Sequence, residues 1–256
     1  MIIACINSKL TVLRLEALKK MINGMIEASR GALKEEIRMD IISSNLANSN
    51  TVGFKKDRVS FQQMLKKAEE SGAVPTSVDI KVDLEQGDMR NTGNNLDVAI
   101  KGKGFFKVLT PEGVRYTRKG NFDLDGQGNL ITQNGYSVLG KGGTINIQGK
   151  VIEIGTDGMI LVDGVQSGQL DVVDFSEYNS LVKTGGSLFR NDSADEIGLE
   201  PGTTIGQGFL ELSNVNVAEE MVNMIHSLRA FESYQKSMKA IDELNNQAIN
   251  QVGRLR

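Results

Sequence analysis

The chain has one cysteine, one histidine, no tryptophan and three prolines in 256 residues. Each scarcity removes a class of protein. Cys5 has no second thiol with which to form an internal disulfide or hold zinc, so disulfide scaffolds and zinc modules are excluded. A single histidine, His226, removes mechanisms that need two, including most zinc hydrolase sites. No run of 18 or more apolar residues occurs, so no membrane-spanning helix is expected. The net charge is -3 without a basic stripe, which argues against nucleic acid and anionic lipid as partners. Only Met1 precedes the lipoprotein-like Ile2-Ile3-Ala4-Cys5, leaving no charged leader and no apolar core, and no cleaved signal is expected.

Glycine is plentiful and unevenly placed: of 28, 23 lie between Gly87 and Gly208. Glycine is disfavoured inside helices and supplies the positive φ of tight turns, so the middle of the chain reads as strands and the ends as helix. The turn signals Asp125-Gly126, Asn134-Gly135, Asp157-Gly158 and Asp163-Gly164 separate or border β-prone runs at Leu96 to Ile100, Phe105 to Leu109, Thr144 to Ile147 and Val151 to Ile154. This predicts a central all-β domain.

From Ile22 to Asn48 the apolar residues fall in two stripes. Ile22, Ile26, Leu33, Ile37 and Ile41 share one helix face, and Ala28, Ala32, Met39, Ile42 and Leu46 lie opposite. A helix apolar on both sides needs partners on both sides. The segment from Val215 to Leu255 carries Val217, Met221, Met224, Leu228 and Phe231 at alternating spacings of four and three, a coiled-coil stripe. After Gln235 the stripe steps to Tyr234, Met238, Ile241, Ala248, Val252 and Leu255, which predicts a seam that shifts partners or bends.

Charge divides the same way. Residues 1–60 carry 10 basic and 6 acidic groups, 61–214 carry 14 and 21, and 215–256 carry 5 and 5. Neither terminal helix is stable alone in water, so the two are expected to meet. The fold class is therefore α+β and multi-domain: N- and C-terminal helices form one discontinuous coiled-coil domain, residues 21–65 with 215–256, around an all-β middle at 77–214. Residues 66–76 read as a polar linker, and Leu199 to Gly208 as the turn-rich boundary on the other side.

Several apparent motifs carry nothing. Gly102-Lys103-Gly104 lacks a third glycine and a following helix, so it reads as a strand bend and not a dinucleotide loop. Asp123 to Asn129 resembles a calcium loop, but its glycine is misplaced and its twelfth position is Asn134, so a hairpin turn is expected. His226 reads as a surface or interface residue. Phe54, Phe61 and Phe231 read as packing residues, since no basic clusters interleave with them.

The run Asn45-Leu46-Ala47-Asn48-Ser49-Asn50-Thr51, then Gly53-Phe54-Lys55, is read locally as a helix end in which Asn caps the chain and accepts left-handed dihedrals. Its order also resembles the N-terminal signature of the bacterial flagellar rod and hook protein family. Three more blocks resemble the same family in order: Leu96 to Phe106; Tyr116-Thr117-Arg118-Lys119-Gly120-Asn121-Phe122 continuing through Asp125, Gly128, Asn129 and Leu130; and Ser213 to Ile225 with Arg229-Ala230-Phe231-Glu232. The likeness runs from about Met21 to the end of the chain and is greatest to the basal-body rod subunits. Residues 1–20 lie outside it, and are read as an extension or the product of a misassigned start codon.

The resemblance implies a structural subunit, not an enzyme, that assembles into the helical drive shaft between motor and hook. It implies as partners further copies of the chain, other rod subunits, the hook protein, the flagellar type III export apparatus and the surrounding rings. It implies no cofactor, metal, nucleic acid or small-molecule substrate. It also implies a place in the periplasm-spanning rod of the basal body, reached without a cleaved signal. The residues expected at the assembly interface are Ile26, Leu33, Ile37, Ile41, Asn45, Asn48, Asn50, Thr51, Gly53 and Phe54 from the N-terminal segment. From the C-terminal helix they are Val217, Met221, Met224, Leu228, Phe231, Met238 and Ile241. Two rival readings stand beside this one: an oligomeric extracellular module whose β domain binds a ligand, and a carboxylate hydrolase using Asp123, Asp125 and Glu112.

Overall fold

The structure is a computed structural model describing residues 2–60, 79–192 and 195–253, without the side chains of 2–15, 17, 18, 79 and 248–253. The linker at 66–76 and Phe61 lie outside the described residues, as do the side chains of Cys5, Ala248, Val252 and Leu255. The chain is α+β: a long helix at each end and a β-rich middle. Helix α1 runs Ile2–Ala47, so it continues without a break through residues read as an extension.

Nineteen strands follow among the described residues. They are β1 (Asp57–Ser60), β2 (Asp79–Val82), β3 (Met89–Asn91), β4 (Val98–Lys101), β5 (Phe105–Thr110), β6 (Gly113–Thr117), β7 (Phe122–Leu124), β8 (Leu130–Thr132), β9 (Ser137–Gly140) and β10 (Gly143–Thr144). Then come β11 (Ile152–Ile154), β12 (Met159–Val162), β13 (Val165–Gln169), β14 (Val172–Phe175), β15 (Leu181–Gly185), β16 (Leu188–Asn191), β17 (Glu196–Ile197), β18 (Thr204–Gln207) and β19 (Phe209–Glu211). Helix α2 (Val217–Gly253) closes the chain.

By their internal contacts the residues form two compact units: Met1–Ser44, Val59–Asp79 and Val217–Arg256 in one, Asn45–Arg58 and Ile80–Asn216 in the other.

The β unit is built on a ten-stranded sheet whose main path is β15-β16-β6-β5-β9-β8-β7. The three-stranded β11-β12-β13 and the pairs β18-β4 and β19-β3 complete it. All four Asx-Gly signals lie between antiparallel strand neighbours: β7-β8, β8-β9, β11-β12 and β12-β13. At Asp163-Gly164 both residues have positive φ, as a type I′ turn requires. The start of strand β5 is buried on both faces: Phe106 and Val108 enter the larger apolar cluster, and Phe105 joins Tyr116, Phe175 and Phe189 in a smaller aromatic one.

Two local expectations differ from the structure. Thr144 to Ile147 is not a strand beyond Thr144; Ile145 and Ile147 are buried and held by single backbone bonds, Leu130 N–H to Ile145 O and Ile147 N–H to Gly128 O. Leu199 to Gly208 is not a boundary, because β18 lies within it and pairs with β4 along four residues. Glycines at 202, 206 and 208 serve turns and close packing inside the unit, and composition alone does not separate that use from a linker.

In the helical unit α1 and α2 run antiparallel. Gly24 faces Ile241, Ser29 Oγ donates to Met238 Sδ at 3.3 Å, and Gly31 lies against the ring of Tyr234. A Cβ on Gly31 would sit 2.4 Å from that ring, so the glycine that weakens a helix by about 1 kcal/mol is what admits the aromatic. The inner side of α1 is the small-residue stripe, with Ala28, Ala32 and Ile42 buried beside Glu35.

The inner positions of α2 are 220, 224, 227, 231, 234, 238 and 241, still at spacings of four and three. The apparent sideways step after Gln235 is therefore not a shift of the contact line. Glu220 and Ser227 occupy inner positions, and these polar residues break the apolar pattern without breaking the geometry.

Candidate functional site

Two features hold the residues singled out by the sequence. The first is the outer side of the helical unit. On α1, Ile22, Ile26 and Leu33 are 51%, 40% and 57% exposed, while Ile37 and Ile41 are half-buried. On α2, Val217, Met221 and Leu228 are exposed, and so are Val222 and Ile225, which the sequence pattern did not single out. Met224, Phe231, Met238 and Ile241 are half-buried on the inner side, so the single stripe predicted for α2 is divided. The apolar arc on each helix is wider than one neighbouring helix covers.

The second feature lies wholly in the β unit, where the first three sequence blocks and the start of the fourth converge. The Asn45 side chain pairs with both backbone groups of one residue: Nδ2 donates to Asp57 O and Oδ1 accepts from Asp57 N, each at 2.9 Å. Between them the chain descends in tight turns, Asn48 N–H to Asn45 O, Ser49 N–H to Leu46 O and Thr51 N–H to Asn48 O, with Thr51 Oγ1 donating to Asn48 Oδ1. Asn50 is exposed. The asparagines are not the left-handed residues here: among the described residues only Asp163 and Ser187 outside glycine have positive φ, and in this loop Gly53 takes that conformation, at +63°. Its N–H donates to Glu211 O at 2.8 Å, and a Cβ would lie 2.5 Å from the Arg118 carbonyl carbon.

Behind Gly53 lies a closed set of charges. Lys55 Nζ donates to Glu211 Oε1 and to Glu85 O, both at 2.6 Å. The other Glu211 oxygen pairs with Arg118 at 3.3 Å and Gly87 N–H donates to Oε1 at 3.0 Å. Arg118 also donates to Gly102 O at 2.7 Å and lies over the Phe105 ring. Two cations share one carboxylate, and backbone carbonyls supply the remaining negative potential. Burial pushes the Lys55 ammonium below its ordinary pKa, with Glu211 opposing; burial does the same to Arg118.

Asn214 ties the end of the β unit to this loop, accepting from Lys56 N–H at 2.8 Å and donating to Asp83 O at 2.9 Å. Phe54 is buried, with the Lys183 ammonium 4.3 Å from its ring centre and ion-paired to Asp57 at 2.8 Å. Lys55, Arg118, Glu211 and Asn214 were not selected from the sequence. Lys55, Arg118 and Asn214 all sit inside the quoted blocks, and their charge or amide beside apolar neighbours was the available signal. Glu211 carried none beyond an acidic residue within Phe209-Leu210-Glu211-Leu212.

The hydrolase candidates do not form a pair. Glu112 binds Arg115 on the β5-β6 hairpin, whereas the Asp125 carboxylate in the β7-β8 turn accepts from Gln127 N–H, Asn129 N–H and the Asn129 amide. That hydrogen bonding to Asn129 is what holds Asp125 below the usual carboxylate range, as an Asx turn does.

Comparison with known proteins bears on both features. The family described as flagella basal body rod protein matches residues 26–55, the flagellar hook protein FlgE/F/G D1 domain matches 99–162, and the flagellar basal body rod FlgEFG protein C-terminal family matches 207–251. The flagellar basal-body rod protein FlgG of Bacillus subtilis is 33% identical over 261 residues, covering 90% of this chain and 99% of that protein. FlgG of Buchnera aphidicola subsp. Schizaphis graminum is 34% identical over 88% of this chain and 97% of its own. The rod protein FlgF of Caulobacter vibrioides is 34% identical over 85% and 92% respectively.

Proposed function

The chain belongs to the flagellar basal-body rod protein family, and from that premise we propose how its two units do the work of a rod subunit. It is a structural rod component and not an enzyme. In the reading we propose, copies stack head to tail into an open helical shaft, a contact that does not close on itself, and the shaft carries torque from motor to hook.

The observation that carries this is the apolar outer side of α1 and α2. Ile22, Ile26 and Leu33 on one helix and Val217, Met221, Ile225 and Leu228 on the other stand largely open, and a neighbouring copy or another rod subunit covers them by coiled-coil packing. Helices α1 and α2 form that assembly domain, interrupted in sequence by the β unit. Asn45, Gly53 and Phe54 act inside the subunit by fixing the path of the chain where it leaves α1. The hook protein, the surrounding rings and the type III export apparatus are the further partners. Export proceeds without a cleaved signal, and the shaft spans the periplasm. The marginal stability of two solvent-exposed helices favours passage in the unfolded state, since they order fully only on burial against neighbours.

The test is deletion of the gene followed by electron microscopy of cells and isolated basal bodies. Loss of hooks and filaments with a truncated rod, restored by complementation, is the expected result. Normal flagella in the deletion strain would overturn the proposal. The ligand-binding module finds no support in any of these relatives.

A further inference from the structure

Four cations buried in whole or in part in the β unit meet a carboxylate: Lys55 and Arg118 meet Glu211, Lys107 meets Asp171 and Glu196, and Lys183 meets Asp57. Lys119 differs. It is half-buried, no ion pair or hydrogen bond to its ammonium is formed among the described residues, and burial alone pushes its pKa down.

Lys119 lines a notch between the start of β7 and the β8-β9 turn, together with Asn121, Thr132, Asn134 and Tyr136. Beside Gly186, Leu188 and the Tyr136 ring, the polar groups of the lining are hydroxyls, amides and one ammonium, with no aspartate or glutamate. No protein acceptor is engaged by the side chains of Lys119, Asn134 or Tyr136 among the described residues. The cavity is about 20 Å³. That is room for one water or one oxygen of a carboxylate, and too little for a sugar or a stretch of peptide.

We propose that this notch receives the carboxylate of an aspartate or glutamate from a second copy of the chain, making Lys119 an inter-subunit contact. The proposal rests on the rod reading, which sets copies side by side. A single acidic head group is what the volume and the donors fit. A neighbouring copy supplies it in excess, since residues 61–214 hold 21 acidic groups against 14 basic. A carboxylate entering here gains a charge-assisted bond at a site already partly dehydrated, where such a bond is stronger than on open surface.

The test treats basal bodies, isolated from cells expressing the full chain, with a carbodiimide, which joins an ammonium to a carboxylate in direct contact, and maps the joined peptides by mass spectrometry. The expected result is a link from Lys119 to an aspartate or glutamate that is out of its reach within one chain. Lys119→Met should remove the link and Lys119→Glu should lower the chain's content per basal body about fivefold or more, as like charges face each other. Exchanging the linked carboxylate for lysine in the Lys119→Glu background should restore it.

A link from Lys119 to a different protein overturns the second-copy assignment. Normal incorporation of both variants with no link, while other lysines in the same sample are joined between copies, overturns the notch as a contact. In either case the chain is still found in the rod, so the function proposed above stands; absence of the chain from basal bodies is the separate result that removes it.

Discussion

The β unit and the helical unit close their apolar side chains to different degrees. In the β unit Phe105, Phe106, Phe189, Ile160 and Leu170 are sealed from water, and Lys55 and Glu211 are closed in with them. In the helical unit Ile22, Leu33, Met221 and Leu228 remain about half open. Full burial of one such side chain contributes about 1.5–3 kcal/mol. A pair of helices that leaves a row of them uncovered is weakly stabilised alone and gains most by recruiting neighbours. The β unit has a closed core of its own, although Val151 and Val165 stand open on its surface; the helical unit leaves a row of apolar residues uncovered and gains more by association.

This contrast is broken most severely by making the outer face of α2 polar. Met221→Gln, Ile225→Gln and Leu228→Gln together should abolish incorporation into basal bodies and hence motility, while the thermal transition of the β unit stays in place, as judged by calorimetry of the purified chain. Retained motility with normal rods would show that this face is not used.

Next in size is a change inside the closed unit. Glu211→Ala leaves Lys55 and Arg118 buried without their shared carboxylate, which costs about 3–5 kcal/mol. The Tm of the β unit should fall by roughly 10 °C on a domain of this length. A fall of only a degree or two would mean that the backbone carbonyls already balance the two cations.

Gly53→Ala sharpens the same point at the loop. The new Cβ meets the Arg118 backbone in a conformation that L residues rarely adopt, a loss of about 2 kcal/mol measured by urea unfolding. In the helical unit Gly31→Leu should cost about 1–3 kcal/mol of helix-pair stability by forcing Tyr234 aside, despite leucine's better helix propensity. Far-UV circular dichroism during thermal unfolding would detect it, and a gain in helicity would contradict the close Gly31–Tyr234 approach.

The smallest effect is in acid. Burial alone would raise the Glu196 carboxyl, but hydrogen bonds from Lys107 and Tyr116 outweigh it and hold the pKa below its ordinary value of 4.5. A depressed carboxylate contributes stability above its unfolded pKa and loses it as pH falls through the folded one. Glu196→Gln should therefore lower Tm slightly at pH 6 and leave it unchanged near pH 2, a difference on the order of 1 kcal/mol or less for so exposed a group. An equal deficit at both pH values would exclude the charge as its source.

Much of the fold was legible because it depends on local chemistry. Glycine placement separated helix from strand, and each Asx-Gly pair marked a real connection between neighbouring strands. The apolar stripes on the terminal helices were visible, as was the excess of apolar surface over what one partner covers. The seam of α2 was misread before Gln235, where Glu220 and Ser227 occupy inner positions and Val217, Met221 and Leu228 stand exposed, because a polar residue gives no periodic signal of burial. The boundary at Leu199 to Gly208 was misread because a glycine used for a close approach looks the same as one in a linker. The buried charges were missed because the partners are far apart in sequence: Lys55 and Glu211 are separated by 156 positions.

By itself, then, the sequence determined the helix–β–helix order, the turns and the four blocks that mark a rod protein, because each is set by residue type and spacing over a few positions. The tertiary structure decided which face of each helix is inside, through the fit of Tyr234 against Gly31 and Ile241 against Gly24. It also decided which charged residues are closed in the core, since the desolvation of Lys55 is offset only by an acid and carbonyls that folding brings beside it.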